Sequence, residues 1–187
     1  MQALNNDIII KAAKGDIKSF EAIYRQYSGF VYNIALRIMR NKQDADEITQ
    51  EVFIKLFHKL AAFKFESSFK TWIYRVAVNA ALNYAKKLNR ENKRMVELDE
   101  NLFRAERSGS VDVNIENKHN EHVVNRLLAF ISPEQRTCIV LRHIEGLSYE
   151  EISEVLKVNI NTVRTRLKRA REKLMDMGKE VMINEVR

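Results

Sequence analysis

The fifteen residues from Asn159 to Lys173 (NINTVRTRLKRAREK) constrain the fold of this chain more than any other stretch. Set on a helix, Val163, Leu167, Ala170 and Leu174 share one narrow stripe. Arg164, Arg166, Lys168, Arg169, Arg171 and Lys173 cover the rest, with Glu172 the one acid. A helix so divided seats its apolar strip on its own domain and turns a cationic face toward a polyanion. Just upstream, Ser148 to Leu156 (SYEEISEVL) reads as a second short helix, separated by a turn of about three residues. Two short helices joined this way, the second one basic, outline a helix-turn-helix that enters a DNA major groove. Asn161, Thr165 and Lys168 lie opposite the stripe, flanked by Arg164 and Arg169, as donors suited to base edges. Arg166, Arg171 and Lys173 fall to the sides, where phosphates run. A charge run alone usually means no more than a solvated face; the capped partner helix before it favours DNA.

A chain of 187 residues has room for one large or two small domains. Its net charge of +7 and pI near 9.5 point to an anionic partner, either nucleic acid or an acidic membrane surface. Five glycines and one proline interrupt it, and no alternating strand pattern with hairpin signals occurs, so an all-α fold is expected. No apolar run approaches bilayer length and no signal-peptide pattern opens the chain, which makes the cytoplasm the expected location. The single cysteine, Cys138, excludes an intramolecular disulfide. Its apolar flanks within a helical run suggest a buried structural thiol, whereas a redox sensor needs an exposed thiol of lowered pKa.

Cap signals divide the chain further. Asn5 or Asn6 is expected to open a helix running to about Lys14, with Gly15 suited to its left-handed C-terminal position. A longer helix, Ile17 to Arg40, follows, with a bend expected near Ser28-Gly29 and Asn41 as its end. Asp44 with Glu47 forms a capping-box variant opening a helix from about Ala45 to Leu60. After a loop holding Phe63 and Phe65, another helix covers about Phe69 to Arg90. From about Glu91 to Asn120 the periodicity fades around Ser108-Gly109-Ser110, as in a flexible tether. Ser132-Pro133-Glu134-Gln135 is a strong helix start, and Ser148 with Glu151 repeats its logic. The expected architecture is therefore two small helical domains, an N-terminal helical bundle (1–92) and a C-terminal helix-turn-helix domain (121–187), joined by a flexible linker (93–120).

Two further constellations lie in the first domain. In FKTWIYRVAVNAALNYAKKLNR, Ile73, Ala77, Ala80, Ala81, Tyr84 and Leu88 form the expected buried face. Thr71, Arg75, Asn79, Asn83, Lys86 and Arg90 line the opposite one, with Trp72 and Val76 on its margin. Together with Phe63, Lys64, Phe65 and Lys70, this makes a basic surface interleaved with aromatics. Such a surface suits single-stranded nucleic acid: cations follow the backbone, rings stack on bases and amides read an extruded base. Ordinary core packing of Trp72 and the phenylalanines is the competing reading. In DADEITQEVFIKLFHKL, Val52, Phe53, Leu56, Phe57 and Leu60 make a core face, while Glu47, Glu51, Ile54 and His58 share the other, with Gln50 at its edge. An isoleucine exposed among acids reads as a protein-binding surface. A solvated face competes with that, as does a metal held by Glu47, Glu51 and His58, which lacks further converging ligands. His119 and His122 have no cysteine partners for a zinc site. No phosphate-cradling glycine loop, zinc-protease helix or nucleophile elbow is present, so neither catalytic residues nor a cofactor are expected.

On these residues the chain resembles the extracytoplasmic-function (ECF) group of bacterial sigma factors in the sigma-70 family. DADEITQEVFIKLF is similar to that family's core-polymerase-binding helix and SSFKTWIYRVAVNAALNYAKK to its promoter-melting, minus-ten-reading segment. SPEQRTCIVLRHIEGLSYEEISEVL with NTVRTRLKRAREKL is similar to its minus-thirty-five-reading domain. The resemblance covers almost everything outside the tether, in the family's order. It implies that Asp46, Glu47, Gln50, Glu51 and Ile54 face the beta-prime clamp helices of core RNA polymerase, with the beta flap as a further contact. Lys70, Thr71, Trp72, Arg75, Asn79, Asn83 and Lys86 would open the duplex and hold a flipped non-template base of the minus-ten element. Asn161, Arg164, Thr165, Arg166, Lys168, Arg169 and Arg171 would read or clamp the minus-thirty-five element. The tether would pass near the RNA path, and an anti-sigma factor would hold the protein inactive. No small-molecule substrate, metal or cofactor is implied.

There are departures from the family pattern. Lys157 occupies a turn position where the family often has Gly, so it must accept a left-handed conformation, at a cost of about 1 kcal/mol, or the turn must differ. Asn161 stands where the family often has Gly before Thr, and it either caps the helix or touches DNA. The tether carries no recognisable motif. An autonomous helix-turn-helix regulator that binds duplex DNA as a dimer is the alternative function, but its sensor half would have no need of a single-strand surface. An enzyme acting on nucleic acid is a third, against which the absent metal or nucleophile constellation counts.

Overall fold

Caps of the expected kind define the helices. The computed structural model describes residues 4–98 and 127–185, of which 92–98 and 179–185 by their main chain alone. Helix α1 (Asn6–Ala13) opens on Asn5, whose side chain accepts from the Asp7 N–H, and it ends before Gly15 at φ 93°. Helix α2 (Ile17–Met39) opens on Asp16, whose carboxylate accepts the Ser19 N–H at 2.9 Å. It runs uninterrupted through Ser28 and Gly29 and closes with Arg40 in the left-handed region. Helix α3 (Lys42–Lys59) leads into a short 3-10 turn, Leu60–Ala62, and helix α4 (Phe69–Leu98) starts where Ser68 Oγ accepts the Thr71 N–H at 3.0 Å. In the second half, α5 (Pro133–Ile139) passes into a π-helical turn, Val140–Ile144, followed by α6 (Tyr149–Leu156) and α7 (Ile160–Glu185). The described residues contain no strand and no helix long and apolar enough to cross a membrane.

The chain divides into two compact units, Met1–Tyr84 and Ala85–Arg187. In the first, α2 packs against α1 and α3 around Ile23, Ile34, Ile38, Ile48, Leu56 and Ile73, all essentially sealed from solvent. Each such side chain stabilises the fold by roughly 1.5–3 kcal/mol. In the second, α7 lies against α5 and α6, and Leu128, Ile131 and Ala170 form a cluster that Ile139 and Leu174 join. The buried polar residue Arg136 donates from Nε to the Leu128 carbonyl at 2.9 Å and from Nη2 to the Ile131 carbonyl at 3.1 Å.

Several expectations are corrected. Asn41 does not merely end α2: its side chain accepts the Asp44 N–H at 3.1 Å and caps α3, which therefore begins at Lys42 rather than Ala45. Asp44 becomes a first-turn residue, favoured there by the helix dipole. Phe57, expected in the core, is 49% exposed, because α3 buries the narrower row of Val52, Phe53 and Leu56, which Leu60 of the following turn extends. Helix α4 buries Tyr74, Val78 and Ala85 as well, while Leu88 stays partly exposed. The same helix continues to Leu98, into the segment expected as linker. The rest of that segment, with His119, His122 and the expected domain start at Glu121, lies outside the described residues.

Candidate nucleic-acid interface

The helix-turn-helix forms from its local chemistry. Ser132 and Ser148 each make a full capping box, with Gln135 and Glu151 respectively. Between α5 and α6 the main chain widens into a π turn, where the Glu145 N–H donates to the Val140 carbonyl at 3.1 Å. Arg142 locks its exit, donating to the Leu147 carbonyl at 2.9 Å with its guanidinium 5.2 Å from the Tyr149 ring centroid. The turn into α7 is three residues, Lys157 to Asn159, and Lys157 adopts φ 52°, ψ 47°. The left-handed conformation is thus accepted without glycine. Ser153 fastens the turn, its hydroxyl donating to the Val158 carbonyl at 2.6 Å. Asn159, not Asn161, caps α7, accepting the Asn161 N–H at 2.8 Å.

That arrangement fixes the rotation of α7. Val163, Leu167 and Ala170 are wholly buried, and Asn161, Arg164, Thr165, Lys168, Arg169 and Arg171 are exposed. Arg164 donates to Asn161 Oδ1 at 3.0 Å, so the two form one polar pair at the start of the face. Thr165 turns its hydroxyl back onto the Asn161 carbonyl at 2.8 Å. Lys168 lies 3.9 Å from Glu172, an exposed pair of little strength. Arg171 reaches toward Tyr149 Oη and His143 Nε2, each at 3.4 Å. Arg166 differs from its neighbours: it is only half exposed and stands beside Cys138. Burial pushes the Cys138 thiol up to about 11, and Arg166 draws it partly back. That environment is the structural thiol the sequence suggested. An open cleft of about 520 Å³, lined by Ser132, Gln135 and Glu134 on one side and Asn161, Thr165, Arg166 and Arg169 on the other, adjoins this face.

In the first domain the aromatics divide between core and surface. Phe63 and Phe69 are buried, and half-buried Trp72 closes over them, 5.2 Å from Phe63 and stacked at 5.8 Å on Phe69. Phe65 is 45% exposed, 4.7 Å from Phe63, and adopts φ 58°, unusual for a bulky residue. It is a strained, outward ring that spacing alone does not identify. Lys70 folds back over the Phe30 and Tyr74 rings, at 5.4 and 5.6 Å, and Thr71 shares a hydrogen bond with Ser68 at 2.7 Å. Arg75 and Asn79 are half-buried and Asn83 and Lys86 exposed. The Arg75 Nε is buried with no acceptor among the described residues. From Thr71 to Lys86 the helix rises about 22 Å, so these groups form a line and not a point.

On α3, Asp46, Glu47, Gln50 and Ile54 are exposed, Ile54 at 60%, and half-buried Glu51 pairs with Lys55. Phe57 and Tyr24 add exposed apolar surface nearby, the Tyr24 ring packing at 4.7 Å on Phe53. The sequence reading missed Tyr84: it is half-buried and donates its hydroxyl toward Glu47 and Asp44. Only the pairing of α3 with α4 brings these residues together.

Comparison with known proteins agrees with this layout. Residues 23–91 match the family Sigma-70 region 2, and residues 122–174 match Sigma-70, region 4. The ECF RNA polymerase sigma-E factor of Escherichia coli (strain K12) is 33% identical over 180 residues, spanning 91% of this chain and 92% of that protein. The RNA polymerase sigma-H factor of Pseudomonas aeruginosa is 29% identical over 177 residues, with the same two coverages. Among solved structures, the sigma factor RpoE in complex with the anti-sigma factor NepR from Bartonella quintana shares the fold. Its TM-score is 0.68 at 22% identity, over 87% of this chain and 98% of that one. Both halves of the molecule, in order, carry the sigma-70 regions, and the chain belongs to the ECF group of the sigma-70 family.

Proposed function

We propose that this ECF sigma factor, which directs core RNA polymerase to its promoters, divides the work among the three surfaces described. Asp46, Glu47, Gln50, Glu51 and Ile54 of α3 dock on the beta-prime clamp helices, an acidic face with an apolar centre. Lys70, Thr71, Trp72, Arg75, Asn79, Asn83 and Lys86 of α4 hold the opened minus-ten strand. Asn161, Arg164, Thr165, Lys168, Arg169 and Arg171 of α7 enter the major groove of the minus-thirty-five element, with Arg166 at the cleft beside it. The observation that carries the reading is the division of α7 into a wholly buried stripe, Val163, Leu167 and Ala170, and an exposed cationic face. That division holds the helix against its domain and presents its side chains outward as a rigid set.

The chain works by binding, without a catalytic group, metal or cofactor. Energy for strand opening comes from capture of unpaired bases, which costs a few kcal/mol of stacking per base. Residues 1–92 would serve as the polymerase and minus-ten domain, 93–120 as a link whose first residues extend α4, and 121–187 as the minus-thirty-five domain. Its place of action is the cytoplasm, with polymerase and chromosome. The beta flap is the expected partner of the second domain. An anti-sigma factor is the expected regulator, in line with the solved relative bound to NepR. The test is Asn79→Ala in reconstituted holoenzyme. Core affinity should stay at the wild-type value while permanganate reactivity of the minus-ten thymines falls several-fold. Equal losses in binding and opening would remove α4 from the open-strand role.

A further inference from the structure

We propose that Tyr84 is a positioning residue for the polymerase-binding surface, its hydroxyl holding the Glu47 carboxylate in the orientation that core RNA polymerase meets. The inference rests on the assignment of Glu47 to that surface. Tyr84 Oη lies 2.9 Å from Glu47 Oε2 and 3.2 Å from Asp44 Oδ1, bridging α4 to α3 across 37 residues of sequence. A phenol carries one proton and donates fully to one acceptor at a time, so the shorter contact makes Glu47 the principal acceptor. Asp44 and Glu47 stand three apart on one helix face, where like charges repel. A donor between them offsets that repulsion and limits the rotamers open to an otherwise exposed Glu47. Tyr84 is itself half-buried, which restricts the ring that carries the hydroxyl. Burial, the bond to Glu47 and the Asp44 charge all hold the phenol protonated above its ordinary range, so the donor persists at neutral pH.

A carboxylate ordered before its partner arrives loses less freedom on docking. Tyr84 therefore acts on polymerase affinity only through Glu47. A double-mutant cycle reads this directly: Tyr84→Phe, Glu47→Ala and the pair, in the full chain, titrated against core RNA polymerase at one salt concentration. Tyr84→Phe keeps the ring and the packing. It should weaken binding about 3–10-fold, Glu47→Ala at least as much, and the pair no further than Glu47→Ala alone. Additive losses would overturn the proposal, since Tyr84 would then act independently of Glu47. An unchanged Tyr84→Phe affinity beside a weakened Glu47→Ala would also overturn it while leaving α3 at the interface. Unchanged affinity in Glu47→Ala would remove that residue from the interface and the inference with it. A merely structural Tyr84 would lower the unfolding temperature of the free protein and reduce affinity equally in both Glu47 backgrounds.

Discussion

Arg136→Met takes a cation out of the interior of the second domain together with the donors of two main-chain carbonyls. Arg136 is 7% exposed, and its Nε and Nη2 serve the carbonyls of Leu128 and Ile131 at 2.9 and 3.1 Å. The Ser132 N–H four residues on from Leu128 is occupied by Gln135 Oε1 at 3.0 Å, and Pro133 has no N–H. Each carbonyl stripped of its donor costs roughly 1–3 kcal/mol. Methionine fills much of the space and relieves the burial of a charge, which offsets part of that loss. The net expectation is a loss of about 2–4 kcal/mol, with Arg136→Lys intermediate because an ammonium reaches one carbonyl well and not both. Urea unfolding of the full chain by far-ultraviolet circular dichroism measures it. Trp72, the only tryptophan, reports on the first domain separately, and its fluorescence transition should not move. A loss below about 0.5 kcal/mol would refute the role given to Arg136. An equal shift in the Trp72 transition would show that the two domains unfold as one.

Arg164→Ala should cost about 1–3 kcal/mol and relax preference at one base pair of the minus-thirty-five element, as competition binding with single-base variants would reveal. A uniform loss across all variants would make Arg164 a phosphate contact instead. The Cys138 thiol is raised from 9.0 to about 11, chiefly by burial and against the pull of Arg166. The folded state keeps a proton that the unfolded chain gives up, so this contribution is complete below pH 9 and fades as the pH climbs from about 9 through about 11. Cys138→Ala should flatten the stability curve across that window, and an unaltered slope would show that other groups set it.

What could be read from the sequence was local. Ser132 with Gln135 and Ser148 with Glu151 announce their helices because each box closes within four residues, and the Val163–Leu167–Ala170 stripe is a property of one helix alone. At Lys157 two outcomes stayed open, a left-handed lysine or a different turn, and the folded chain takes the first. Errors begin where two local solutions compete. Asn41 and Asp44 are both good caps, and the choice between them turned on Arg40 accepting φ 62°, which no propensity indicates for arginine. Phe57 fits the α3 period, yet the neighbouring α2 covers only part of it, its ring meeting Phe20 edge-on at 5.1 Å. Tyr84 falls on the apolar period of α4, yet it is only half-buried and its hydroxyl answers acids on another helix. Arg136 was silent for the same reason, since the carbonyls it serves become neighbours only in the folded domain. Helix faces and family resemblance together do not indicate that exposed Lys70 lies over the Phe30 and Tyr74 rings or that half-buried Arg166 stands beside the Cys138 thiol.

The central claim is that this chain confers promoter selectivity on core RNA polymerase. Run-off transcription with purified core polymerase on a bacterial genomic promoter library, with and without the protein, tests it most directly. Discrete transcripts that depend on the protein, sharing two upstream elements, are the predicted result. No protein-dependent transcripts, together with tight duplex binding by the protein alone, would contradict it.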